Sequence, residues 1–357
     1  MFDKRIGDLK EQMGKEKLDA VFLSSVSTIT YLTGYANFSK DEREAYLIIG
    51  KDFQYLITDG RYTEAIKREV PHFTLFERSV DSKTEDLLKK LKTKIKKLGI
   101  EEDNLTVAEH RVIKKLFKST QHFEVAFLRS IKIADEIEKI SKACKIGDLA
   151  FDYILKQIKE GVTEEQIAYE LEKFIRESGA ELAFPAIVAF GANSSIPHHH
   201  TGSTKLRSGD FVLLDFGVKV DGFCSDMTRT IVFDKSSDQQ IKMHRVVLEA
   251  QQKASDYINE QIKRGEKIKA SAVDKVARDL IKSKGYPDIP HSLGHGIGLD
   301  VHEHPFLSVK SKEELKEGMV FSIEPGIYIE NFGGVRIEDL YVLEKLGLRQ
   351  ITTSPKK

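Results

Sequence analysis

Apolar runs at Ala20 to Leu23, Ala45 to Ile49 and Tyr55 to Thr58, bounded by segments of helical spacing, predict alternating short strands and helices. That alternation reads as a small α/β domain. Between Asp86 and Leu98 the period changes: Leu87, Leu88, Leu91, Ile95 and Leu98 recur at helical spacing, and Lys89, Lys90, Lys92, Lys94, Lys96 and Lys97 fill the other face. The lysines read as a solvated helix face rather than a nucleic-acid patch. A boundary is expected at Leu128 to Lys132, giving domains 1–128 and 129–357. After it, Ile137, Ile140, Cys144, Phe151, Ile154, Leu155 and Ile158 mark long amphipathic helices. Thr163 with Gln166 is a capping-box start, and Gly179 sits where a helix stop is expected.

From Phe184 the pattern turns to glycine-punctuated strands, interrupted by a helical stretch at Ala270 to Lys284 and a glycine-rich segment, Leu293-Gly-His-Gly-Ile-Gly298. Within this region Leu206-Arg-Ser-Gly-Asp-Phe-Val-Leu-Leu-Asp-Phe-Gly217 parallels Leu315-Lys-Glu-Gly-Met-Val-Phe-Ser-Ile-Glu-Pro-Gly326, 109 positions later. The match suggests two related half-units, each delivering an acid, Asp215 or Glu324, at the end of a strand.

Composition narrows the partners. The 357 residues carry 56 basic and 56 acidic side chains, so no overall field favours nucleic acid or an acidic membrane surface. Only Cys144 and Cys224 are present, and Met1 to Lys10 is charged where a secretory signal has an apolar core, so a reducing cytoplasm is expected. No stretch approaches the roughly 18 apolar residues of a membrane span.

The chemistry lies in the acids. A two-residue turn at Asp221-Gly222 would set Asp215 opposite Thr228, so that Asp226 is its diagonal neighbour on the same face. A three-residue turn at Asn331 to Gly333 would set Glu324 opposite Leu340, with Glu338 again diagonal. Four like charges on strand faces are prohibitive without cations or proton uptake. With His295 they make an oxygen-rich set that suits Mn²⁺ or Co²⁺ better than a thiolate zinc site and also admits Zn²⁺ or Fe²⁺. Two divalent ions would balance four carboxylates, and bridging lets five side chains, Asp215, Asp226, His295, Glu324 and Glu338, suffice. Taken singly, each is more simply a strand-end acid or a satisfied core histidine. Taken together, they point to a metal pair that activates water.

The strings Leu214-Asp-Phe-Gly, Asp221-Gly-Phe-Cys-Ser-Asp-Met-Thr-Arg-Thr230, Gly294-His-Gly-Ile-Gly-Leu-Asp-Val-His-Glu303, Ser322-Ile-Glu-Pro-Gly-Ile-Tyr328 and Gly333-Gly-Val-Arg-Ile-Glu-Asp339 resemble the creatinase/prolidase/aminopeptidase P group of metallopeptidases. Tyr31-Leu-Thr-Gly-Tyr35 and Thr58-Asp-Gly-Arg-Tyr62 extend the resemblance to the N-terminal half. It implies an α+β protein: a C-terminal pita-bread catalytic domain with a smaller N-terminal creatinase-type, RNase H-like α/β domain. It also implies roles. Asp215 would hold one metal, His295 and Glu324 the other, and Asp226 and Glu338 would bridge; Glu324 would also act as general base and then acid. His302 would bond the scissile carbonyl and His198 would approach the leaving nitrogen, while His291 is a further active-site histidine and Arg336 steadies Glu338. His199 and His200 read as solvated, and Phe184 and Tyr328 as pocket walls or, more simply, core aromatics.

The resemblance implies cleavage of peptides with proline at the second position, by a homodimer. Met227-Thr-Arg-Thr and Val335-Arg-Ile-Glu-Asp favour such enzymes over methionyl aminopeptidases, and the intact ligand set disfavours a metal-free creatinase or a non-catalytic peptide-binding module. Prolidases that resemble this chain often carry an arginine just after the His302 position to grip a dipeptide's carboxylate. Here the stretch reads Glu303-His-Pro-Phe306, which tilts the reading towards an Xaa-Pro aminopeptidase with the Xaa-Pro dipeptidase as the alternative.

Overall fold

The computed structural model describes residues 1–356, in two compact units, Met1–Arg129 and Ser130 onward. The first is built on one mixed sheet whose strands run, edge to edge, Thr74–Arg78, Gln54–Asp59, Tyr46–Gly50, Ala20–Leu23, Lys97–Ile100 and Ser119–His122. Ala20–Leu23 pairs antiparallel with Tyr46–Gly50 and parallel with Lys97–Ile100, so it is buried along its whole length and reads as an unbroken apolar run. Helix Thr84–Leu91 presses Leu87, Leu88 and Leu91 into the same core. The long helix expected over Asp86 to Leu98 is therefore cut short: it ends at Leu91, passes through a 3₁₀ turn at Lys92–Lys94, and Leu98 lies on a strand opposite Ala20. Leu98 kept a helical spacing by coincidence; what decides its state is pairing with a buried strand. The lysines at 89, 90, 92, 94 and 96 are exposed, as a solvated face requires.

The second unit repeats one arrangement twice. In the first half, helices Ala134–Leu155 and Glu164–Glu177 cover a sheet whose central strand, Phe211–Phe216, lies between Ile187–Phe190 and Met227–Val232. In the second, helices Asp238–Arg264 and Ala270–Ser283 cover a sheet in which Val320–Ile323 lies between Gly294–Gly296 and Asp339–Glu344. The two similar sequence strings thus supply the two central strands, and each half has its own apolar core. Helix Asp238–Arg264 went unpredicted although its signals are present. Ser237 caps it by accepting from Gln240 N, Gly265 ends it at φ 67°, and Met243, Val246, Val247, Ala250, Ala254 and Ile258 bury one stripe. Burial of each larger member of that stripe contributes about 1.5–3 kcal/mol.

Candidate metal centre

Asp221 (φ 51°) and Gly222 (φ 83°) both take the left-handed conformation that a two-residue hairpin turn demands. The ladder beyond them puts Thr228 opposite Asp215, which leaves Asp226 diagonal to Asp215, as the sequence implied. The other hairpin differs by one step. Its loop is Glu330 to Phe332, with Asn331 at φ 60°, and Gly333 has already joined the strand opposite Ile329. Gly333 can do so because it has no side chain: a Cβ there would come within 2.4 Å of the Phe211 ring. The same register runs on into the Ile323–Asp339 pair, so Glu324 faces Glu338 directly instead of diagonally. Both arrangements keep the acids on one face.

His295 arrives on Gly294–Gly296, a strand that only glycines permit. A Cβ on Gly294 would stand 2.0 Å from Ser322 O, and one on Gly296 2.1 Å from His304 O. The backbone N–H of His295 donates to Ser322 Oγ (3.0 Å) and its Nδ1–H faces Gly296 O (3.1 Å). That leaves the Nε2 lone pair turned to the acids, 3.3 Å from Glu324 Oε1 and 3.7 Å from Asp226 Oδ2. Ligand atoms of Asp226, His295 and Glu338, all buried, lie within 4.8 Å of one another. Asp226 Oδ1 and Glu338 Oε1 are buried with no hydrogen-bond partner, while Glu338 Oε2 accepts from Thr228 Oγ1 (2.7 Å).

The electrostatics follow from that packing. Burial, and then the charge of Asp215, push the Glu338 carboxyl up to about 8. Burial and Glu338 drive Asp226 and Glu324 well above the usual carboxylate range. Burial drops His295 to about 3, with His302 beside it adding to the effect, and drops His291 to about 4. Without added cations this cluster must hold protons on its acids.

Among the described residues that line the site, Arg336 is the one built-in cation. Its guanidinium donates to Asp215 Oδ2 (2.5 Å), Tyr328 Oη (2.9 Å) and Thr228 Oγ1 (3.1 Å). It therefore hydrogen-bonds Asp215 and, through Thr228, Glu338, and its charge also acts on Glu338 directly, opposing the upward push on that carboxyl. His291 Nε2 meets the same Tyr328 hydroxyl at 2.9 Å, so Tyr328 is a polar link between His291 and Arg336 and not a pocket wall. Phe184 does line the cavity, together with His198, His291, His302 and Arg336 and the apolar Ile187, Pro197, Val301 and Phe306. All five expected ligands, Asp215, Asp226, His295, Glu324 and Glu338, line it, and the space is about 320 Å³.

His200 is exposed, as expected, but His199 is not a solvated residue: its Nε2 lies 2.9 Å from Glu164 Oε2, and the Glu164 side chain has 0% exposure. Thr228, Ser322, Arg229 and Glu164 were not singled out in the sequence. For Thr228 a signal existed, since the hairpin register sets it opposite Asp215. Arg229, fully buried beside it, donates to Glu338 O and to Asp339 Oδ1 (2.6 Å), fixing the strand on which Glu338 enters.

Residues 138–345 match the model of metallopeptidase family M24, and residues 5–129 that of the creatinase/prolidase N-terminal domain. A peptidase of Bacillus subtilis (strain 168), described as uncharacterized, is 38% identical, with 99% of each chain covered. A solved structure described as an Xaa-Pro dipeptidase from Bacillus anthracis is 34% identical and matches at a TM-score of 0.90, covering 100% of this chain and 99% of its own. One described as an X-Pro aminopeptidase from Thermotoga maritima is 35% identical at a TM-score of 0.83, covering 96% and 97%. The chain belongs to metallopeptidase family M24 and has its pita-bread domain preceded by a creatinase-type domain. The donor set fits the divalent metal that membership implies: carboxylates and one imidazole, with two buried carboxylate oxygens lacking any partner. Among the described residues, no helix is long and apolar enough to cross a membrane.

Proposed function

We propose that the chain is an Xaa-Pro dipeptidase that uses two divalent ions, Mn²⁺ or Co²⁺, held by Asp215, Asp226, His295, Glu324 and Glu338. The observation that carries the reading is the cavity: about 320 Å³, lined both by the acids and by the apolar Phe184, Ile187, Val301 and Phe306. That is the lower end of the roughly 300–1,000 Å³ range of small-ligand sites, a size suited to a short substrate with an apolar ring. The likeness to the Bacillus anthracis dipeptidase, wider in coverage and higher in TM-score than that to the Thermotoga maritima aminopeptidase, supports the dipeptide over the longer substrate. It outweighs the missing arginine after His302, which rested on one position.

When bound, the metals supply Lewis acidity and a water of lowered pKa. The protein's own groups do the rest. Glu324, held by Ser322 Oγ at 3.2 Å and close to His291 and His295, takes the proton of the attacking water and returns it to the leaving nitrogen. His302 donates to the scissile carbonyl as charge develops on its oxygen, and His198 faces the proline side of the bond. Arg336 pairs with Asp215 and orients its carboxylate.

The test is product analysis after chelation and reconstitution with each metal, comparing an Xaa-Pro dipeptide with Xaa-Pro-Yaa. Faster hydrolysis of the dipeptide is expected. Preference for the tripeptide would return the aminopeptidase reading, and no turnover with any divalent metal would sink both.

A further inference from the structure

We infer that the buried pair Glu164–His199 is a positioning device for His198, an inference that rests on the placement of His198 in the proposed active site. Glu164 occupies the first turn of helix Glu164–Glu177, where backbone N–H groups ordinarily attract a carboxylate. Its side chain turns away from that role and into the protein, and each of its oxygens accepts two hydrogen bonds. Oε1 accepts from Phe190 N and Asn193 Nδ2, both at 2.8 Å. Oε2 accepts from Gly202 N (3.0 Å) and contacts His199 Nε2 (2.9 Å).

All four donors belong to one segment, 190–202, and they bracket His198. A single carboxylate thus closes that loop into a ring. The far side of the ring is pinned separately. Gly334 N donates to Ser194 Oγ (2.8 Å), and a guanidinium nitrogen of Arg336 lies 3.4 Å from Pro197 O. Between these anchors His198 is exposed towards the cavity that it lines, and no hydrogen bond of its own orients its ring in the described contacts. Its position is set by its neighbours. His199 is the nearest of them, and its side chain points the opposite way, into Glu164. Loss of the His199 contact would leave a buried carboxylate with one donor fewer and free the middle of the ring.

The interaction acts through His198, so its removal should weaken transition-state positioning without disturbing the metals. His199→Leu keeps bulk and removes the donor; His199→Gln restores an N–H donor at similar reach. With the Mn²⁺-loaded enzyme and Ala-Pro as probe, H199L should lower kcat about 10–100-fold, as for outer contacts of other sites, with kcat/KM falling alongside. Metal stoichiometry should match the parent, while the melting temperature of H199L should fall modestly, as a buried carboxylate with one donor fewer requires. H199Q should recover most of the loss. H199L with the parent's kcat, or H199Q as slow as H199L, would overturn the proposal.

His198→Ala separates this from the reading beneath it. A fully active H198A removes the role of His198 and the inference with it. A slow H198A beside a fast H199L refutes the positioning pair alone. A crystal structure of H199L gives an answer independent of turnover: displacement of 196–200 with the four acids and the histidine of the metal centre in place is expected, and an unmoved loop would count against the device.

Discussion

At the scale of single residues, Asp226 and Glu338 are costly to bury. Each is at most 4% exposed, and each keeps one carboxylate oxygen with no partner in the described structure. A buried acceptor left alone costs about 1–3 kcal/mol, and the mutual repulsion of the acids adds to it. Such a pair persists where a cation offsets it. Asp226→Asn and Glu338→Gln preserve shape and remove a charge, so they should bind fewer than two metals by elemental analysis. They should also melt higher than the parent after chelation at pH 9, above the value of about 8 at which the Glu338 carboxyl is forced to ionise. A lower melting temperature for both chelated variants would mean that the acids are held by something other than metal. Arg336 illustrates a different point: two acids lie within its reach, and its guanidinium hydrogen-bonds Asp215 while its charge acts on Glu338 as well.

The elements show what a sequence pattern can and cannot carry. The hairpin at Asp221-Gly222 was legible because turn chemistry and strand parity are local, and both acids follow from them. The second hairpin was misplaced by one residue because Gly333 fits equally well in a turn or a strand, and the tie is broken by the Phe211 ring from a distant segment. Likewise Leu98 followed a helical period yet joined a strand, and His199 looked like one of three surface histidines until Glu164 appeared beneath it. What escapes the sequence in each case is a contact made across the fold. Gly294–Gly296 is the element most exposed to such contacts. A Cβ at position 296 would meet backbone atoms at 2.1 and 2.4 Å, which cannot swing aside as a side chain can. Gly296→Ala should therefore displace His295, costing about 3 kcal/mol by the measure of overpacked sites, and should weaken metal binding together with stability. An alanine variant with unchanged metal affinity, measured by calorimetric titration, would mean that the strand is not held where it lies.

For the whole molecule, the two half-units of the C-terminal part enclose acids that neither could bury alone, so folding and metal binding are one equilibrium. The pH dependence of the metal-free protein exposes the linkage. Burial raises the Glu338 carboxyl from 4.5 to about 8, and raises Asp226 and Glu324 in the same direction. The folded chain then binds protons that the unfolded chain has released, a contribution fully present below the unfolded value and lost as pH rises through the folded one. His291 and His295 act in the opposite sense. Burial lowers them from 6.5 to about 4 and about 3, so their contribution is lost as pH falls below 6.5. The two effects oppose each other from pH 4.5 to 6.5, which leaves 6.5 to 8 as the window in which the acids act alone. There the stability of the chelated C-terminal unit should fall with rising pH by about 1.4 kcal/mol per unit for each titrating group. With metal bound the acids stay ionised in the fold, so the same window should be flat or should rise as protons compete less well. Calorimetry at pH 6.5, 7.25 and 8, with chelator and with Mn²⁺, reads both slopes. Parallel curves would mean that the acids do not couple folding to metal at all.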